Sequence, residues 1–129
     1  MKYELSIVIP IYNESENIET LYKEIVEALP ESAYAYEVIF VDDGSQDNTN
    51  EQLEKLSQRF AKLKIVTHQR NYGQSAGLIS GAKFARYPWI VTLDGDGQND
   101  PKDIPKLFEA LHQSQTPAAI LGNRIKRND

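Results

Sequence analysis

Apolar runs of strand length alternate with segments of helical period along this chain, and that alternation admits few folds. Leu5–Ile11 is a continuous run rich in β-branched residues, the kind that is buried on both faces of a sheet. Ile18, Leu21, Tyr22, Ile25, Val26 and Leu29 then recur at helical spacing, with Pro30 as the stop and Asn13 with Glu16 read as a capping pair at the start. Glu37–Val41 is a second buried strand, followed by a polar turn from Asp42 to Asn48 and a helix whose inward face is Leu53, Leu56 and Phe60. Lys64–His68 is a short third strand and Trp89–Leu93 a fourth. Pro101 opens a helix that turns Ile104, Leu107, Phe108 and Leu111 inward, and Ala118–Leu121 is the expected fifth strand. This order predicts an α/β fold of three layers, a mostly parallel sheet flanked by helices through right-handed crossovers.

The helix expected between Gln74 and Arg86 carries small residues at Ala76, Gly77, Ser80, Gly81 and Ala82. Each glycine costs a helix about 1 kcal/mol against alanine, so a close approach of backbone is expected there. The 129 residues read as one domain, large enough for a real core, with no internal repeat and no linker. A formal net charge of −5 argues against nucleic acid as a partner, because no basic stripe is available to neutralise phosphates. The absence of cysteine excludes disulfides, zinc–thiolate sites and thiol catalysis, and fits a cytoplasmic protein. No segment approaches the roughly 20 apolar residues of a membrane span, and the N-terminus has no signal-peptide core.

Three strands end in polar groups unlike the strands themselves. The first ends in Pro10-Ile11-Tyr12-Asn13-Glu14, the second in Asp42-Asp43-Gly44-Ser45, the fourth in Asp94-Gly95-Asp96. In an open parallel sheet these carboxyl ends share one edge, so their acidic groups converge on one crevice. Crowded carboxylates repel unless a cation, or a ligand's N–H and O–H groups, compensates them. Each piece alone has a plainer reading. Asn13 and Glu14 cap a helix; Asp42 to Ser45 form a turn, or the acidic pair of a phosphoacceptor receiver domain; Asp94 to Gly97 form a calcium-like or plain turn. Arg70-Asn71-Tyr72-Gly73 can be a surface loop and Arg124 a residue of a solvated basic tail. His68 and His112 read as a strand-end and a helix-surface histidine without metal-ligand spacing.

Taken in order, SIVIPIYNE, EVIFVDDGSQDNT, RNYGQSAGLISGAKFA and VTLDGDGQNDP resemble the family 2 glycosyltransferases of the GT-A, Rossmann-like fold across essentially the whole chain. Asp94 to Pro101 and Gly122-Asn123-Arg124 bring the resemblance closer to the polyprenyl-phosphate, dolichol-phosphate-mannose-synthase-like group. The resemblance implies an inverting transferase that takes sugar from a UDP- or GDP-sugar. It sets Pro10, Tyr12, Glu14 and Asp42 around the base and ribose with Asp43 close by, and Arg70 with Gly73 at the border of the pocket. Asp94 and Asp96 fall at the diphosphate, where they and Gln98 hold Mg²⁺ or Mn²⁺, and Arg124 meets the phosphates. It implies a sheet order of 3-2-1-4 and a lipid-phosphate acceptor met at the cytoplasmic face of a membrane. Family members continue beyond the position of Arg124 into acceptor-binding segments, so the chain is expected to be a C-terminally truncated donor-binding part. Self-association through the edge so uncovered is expected, and the alternative function is a donor-binding module without transferase activity of its own.

Overall fold

A computed structural model of the chain describes residues 2–95, 100–113 and 125–127. In chain order its elements are β1 (Tyr3–Ile11), α1 (Ile18–Ala28), β2 (Tyr34–Asp42), α2 (Thr49–Arg59), β3 (Leu63–Thr67), α3 (Gln74–Phe84), β4 (Trp89–Thr92), α4 (Asp103–Gln113) and β5 (Ile125–Arg127). The strands form one sheet in the order β3-β2-β1-β4-β5. All pairings are parallel except that of β5, which runs antiparallel to β4. The expected order of the first four strands is therefore found. The expected strand at Ala118–Leu121 lies outside the described residues, and part of the stretch read as a polar tail forms the short edge strand β5 instead.

β1 is buried on both faces, and its alternation divides the molecule into layers. Leu5, Ile7, Ile9 and Ile11 pack with Ile18, Leu21 and Ile25 of α1, Leu53 and Leu56 of α2, and Ile104 and Phe108 of α4. On the other face Val8 joins Ile39, Val41 and Ile90 under Leu78 and Ala82 of α3. Three helices thus cover one face and α3 the other, as the three-layer expectation required.

The close approach signalled by the small residues of α3 is present. A Cβ on Gly77 would stand 2.9 Å from Pro10 Cβ, and one on Gly81 would stand 2.3 Å from Val8 Cγ1. Below α3 a buried polar clamp closes the link to β4. Ser6 Oγ donates to Glu37 Oε2 at 2.6 Å, Arg86 N donates to the same oxygen at 2.8 Å, and Tyr87 N donates to Ser6 Oγ at 3.2 Å. These bonds satisfy a carboxylate that is only 5% exposed, which burial would otherwise make costly.

Some local expectations are corrected. α1 begins at Ile18 behind Asn17, so Asn13 and Glu16 are not its capping pair. Asn13 takes a left-handed φ of 52°, which asparagine tolerates, and turns its amide to another loop. Val26 is 44% exposed rather than on the apolar face. Pro101 lies in the turn before α4, its carbonyl accepting from Ile104 N at 3.0 Å. Among the described residues no helix is long and apolar enough to cross a membrane.

Gly81→Ala gains about 1 kcal/mol of helix propensity but forces a methyl into Val8, at a cost of about 1–3 kcal/mol. Urea denaturation should show a net loss of stability; a more stable variant would mean that α3 does not lie this close to β1.

Candidate functional site

β1, β2 and β3 succeed one another toward one edge of the sheet, whereas β4 lies on the opposite side of β1. The chain therefore switches direction between β1 and β4, and open α/β sheets bind ligands beyond the carboxyl ends of strands at such a point. A cleft of about 450 Å³ occupies that position. Pro10, Ile11, Tyr12 and Glu14 line it from the end of β1, Asp94 and Gly95 from the end of β4. Asp43 enters from the end of β2, and Asn71, Gly73 and Gln74 from the loop into α3.

Several lining groups are held from behind. Leu93 N donates to Val8 O at 3.1 Å, which carries the β4 chain past its last strand residue alongside β1. A Cβ on Gly95 would stand 2.4 Å from Ile11 Cγ2. Only glycine lets the backbone between Asp94 and Asp96 come this close, so the glycine of Asp-Gly-Asp sets Asp94 beside the end of β1. Gln74 Nε2 donates to Asp94 Oδ1 at 2.7 Å and so ties the start of α3 to that carboxylate. On the β1 side, Asn13 Oδ1 accepts from Gln46 N at 2.9 Å, while Asn13 N donates to Ser45 Oγ at 2.9 Å and Glu14 N to Thr49 Oγ1 at 3.1 Å. The loops after β1 and β2 are thereby locked together.

The acidic pair divides its work. Asp42, set by the sequence reading at base and ribose, is 1% exposed and is not among the cleft-lining residues. Its Oδ1 accepts from Ser45 N at 3.0 Å and its Oδ2 from Asn50 Nδ2 at 3.1 Å, so it holds the turn. Asp43 is the member of the pair that reaches the cleft. Its Oδ1 accepts from Tyr72 N at 2.9 Å and lies 2.8 Å from His68 Nδ1, and its Oδ2 accepts from Gly73 N at 2.8 Å. His68 Nε2 is in turn 2.7 Å from Ser80 Oγ on α3. Burial alone would raise the Asp43 carboxyl, but the bonds from His68, Tyr72 and Gly73 outweigh it and hold the group below the usual carboxylate range.

Of the other expected site residues, Pro10, Tyr12, Glu14, Gly73 and Asp94 come together in the cleft. Arg70 is exposed and outside the lining, and its backbone crosses over Gly44, where a Cβ would stand 2.4 Å from Arg70 C. Asp96, Gln98 and Arg124 lie outside the described residues. Among the described residues no three His, Cys, Asp or Glu side chains gather as a set for one metal ion. Asp94 fits a hard divalent cation as one oxygen donor facing the cleft. Asn71 and Gln74 line the cleft without having been expected, and His68 joins its wall from behind. Asn71 and Gln74 fall within the stretch RNYGQSAGLISGAKFA that carries the family resemblance, and His68 stands two residues before it.

Because the folded pKa of Asp43 is lowered, its contribution to stability is full above the unfolded value of about 4 and is lost as pH falls through the lower folded value. Asp43→Asn should cost about 2 kcal/mol near neutrality, the scale of hydrogen bonds to a charged group. The gap to the parent should narrow as pH falls below about 4 in thermal or urea unfolding. An equal gap at every pH would remove the carboxylate from this role.

A family model described as glycosyl transferase family 2 matches residues 6–129. The chain is 39% identical over 127 residues to a dodecaprenyl-phosphate galacturonate synthase of Rhizobium johnstonii, covering 98% of this chain and 37% of the relative. It spans about a third of the length of the curated relatives it matches. Among solved structures, a mannosyltransferase of Pyrobaculum calidifontis in complex with GDP-Man and Mn²⁺ superposes with a TM-score of 0.73 at 23% identity, covering 91% of this chain and 34% of that one. S. aureus TarS 1–349 in complex with UDP-GlcNAc gives 0.64 at 26% identity, covering 88% and 31%. The sheet with its switch point between β1 and β4 is thus the GT-A arrangement, and the chain belongs to glycosyltransferase family 2.

Proposed function

We propose that the cleft binds a nucleotide-diphospho-sugar and that the protein transfers the sugar, with inversion, to a polyprenyl phosphate. The observation that carries the reading is the set of Tyr12, Glu14, Asp43 and Asp94 around one cleft at the switch point. It is supported by the 39% identity to a synthase whose name specifies a polyprenyl phosphate and a sugar acid. Base and ribose lie against Pro10 and Tyr12, with Glu14 and Asp43 accepting from their N–H and O–H groups. Asp42 supports that wall, and Gly73 with the Arg70 loop borders it. The diphosphate lies toward Asp94 and Asp96, with Gln98 and Arg124 completing its surroundings.

Mg²⁺ or Mn²⁺, held by Asp94, Asp96 and Gln98, would supply positive charge against the diphosphate. The oxygen donors suit those hard cations. In the transfer, the bond from the sugar's anomeric carbon to the nucleoside diphosphate breaks, and a new bond forms to an oxygen of the acceptor phosphate. That oxygen is already anionic, so no general base is needed. Negative charge grows on the departing diphosphate, and Arg124 stabilises it by charge-assisted hydrogen bonds. A lipid-phosphate acceptor sets the reaction at the cytoplasmic face of a membrane.

A second reading, favoured by the chain's covering about a third of its curated relatives, is a part that binds donor but transfers nothing. Sugar transfer to added polyprenyl phosphate by these residues alone excludes it. Calorimetric titration with UDP- and GDP-sugars, with and without Mn²⁺, tests the common core of both readings. One nucleotide-sugar should bind, more tightly with Mn²⁺. Asp96→Asn should abolish most of the Mn²⁺-dependent gain, whereas Asp43→Asn should weaken binding about tenfold with or without the ion. Binding of neither nucleotide would defeat the proposal, and an unchanged Mn²⁺ response in Asp96→Asn would defeat the metal assignment.

A further inference from the structure

We infer that His68 is a positioning residue of the cleft, acting through Asp43. Asp43, as a carboxylate, only accepts, so the proton between it and His68 at 2.8 Å resides on Nδ1. On its other side Nε2 lies 2.7 Å from the Ser80 hydroxyl, a group that accepts from a ring N–H or donates to a bare ring nitrogen. Tyr72 sets its ring edge-on to the imidazole, with ring centroids 5.5 Å apart. The imidazole is thus fixed from the end of β3, from α3 and from the loop between them.

The consequence falls on Asp43. Its two oxygens receive Tyr72 N and Gly73 N, the main-chain groups that set where the loop wall of the cleft stands. With the His68 donor in place, Oδ1 is shared between imidazole and Tyr72 N, and the carboxylate has one orientation. Without it, Asp43 keeps only the two bonds from the loop it anchors, nothing ties the carboxylate to the end of β3, and the wall formed by Asn71, Gly73 and Gln74 is held less firmly. A carboxylate–imidazole–hydroxyl series also occurs in hydrolases. Ser80 lies within α3, and neither it nor His68 is among the cleft-lining residues, so the series holds a wall in place and does not deliver a nucleophile.

This inference rests on the cleft being the nucleotide site, and its test separates the two. Asparagine carries an N–H donor as many bonds from the backbone as Nδ1, and glutamine as many as Nε2. His68→Asn therefore keeps the donor to Asp43, while His68→Gln moves it toward Ser80. Amide hydrogen exchange in the protein without ligand should leave Tyr72 and Gly73 protected in His68→Asn. In His68→Gln their exchange should rise about tenfold, the scale of one lost hydrogen bond to a charged group. Nucleotide-sugar affinity should follow the same order, within about twofold of the parent for His68→Asn and about tenfold weaker for His68→Gln. Ser80→Ala should fall between them. Equal behaviour of the Asn and Gln variants in exchange, whether both protected or both exposed, would overturn the inference. If the parent binds no nucleotide the functional proposal fails, and the exchange contrast still decides the role of His68.

Discussion

The close contact of α3 with β1 is the constraint on which the rest depends. After β3 the chain must cross the sheet and return as β4 on the far side of β1, and it does so under a helix whose Gly77 and Gly81 admit Pro10 and Val8. A larger side chain at either glycine would lift the helix and widen the gap that the crossover spans. Because β4 arrives beside β1, the two strand ends open the crevice between them. The same helix begins at the crevice, where Gln74 reaches Asp94. A packing requirement in the core thus fixes the place where chemistry becomes possible.

The acidic strand ends meet there with little strain because most of their capacity is taken up within the protein. Asp42 is consumed by its own turn, and Asp43 by an imidazole and two main-chain amides. The crevice therefore keeps an acidic character without a cluster of uncompensated charges. Its wall after β1 is tied to the turn after β2 through Asn13, and its opposite wall to α3 through His68 and Ser80. The walls of the crevice are thus tied to one another and to α3 by hydrogen bonds within the protein.

Much of this was legible in the sequence because burial on both faces of a parallel strand leaves a simple trace. The runs at Leu5–Ile11 and Glu37–Val41 read as strands and the alternation of elements predicted the layers, whereas the order of the first four strands came from the family resemblance. The convergence of Tyr12, Glu14, Asp43 and Asp94 followed from strand ends alone. What escaped were contacts made by side chains across the fold. Glu37 looked like the polar start of a strand, yet it anchors Ser6 and Arg86 under the sheet. His68 looked like an incidental strand end, because its partners lie 25 and 12 residues away. Asn13 was misread since its spacing to Glu16 imitates a cap, while its real partner is the backbone of Gln46. Which of two adjacent aspartates faces a cleft is decided by strand pleat and turn geometry, and composition carries no trace of that.

The proposed nucleotide-sugar site is the crevice between β1 and β4. Backbone amide chemical shifts followed while a UDP- or GDP-sugar is added with Mg²⁺ test it most directly. Saturable shifts are expected at Tyr12, Asp43, Asn71, Gly73, Gln74, Asp94 and Gly95, all of which line the cleft. Shifts confined to the groove between α1 and α2, around Glu19, Gln52 and Lys55, would contradict it.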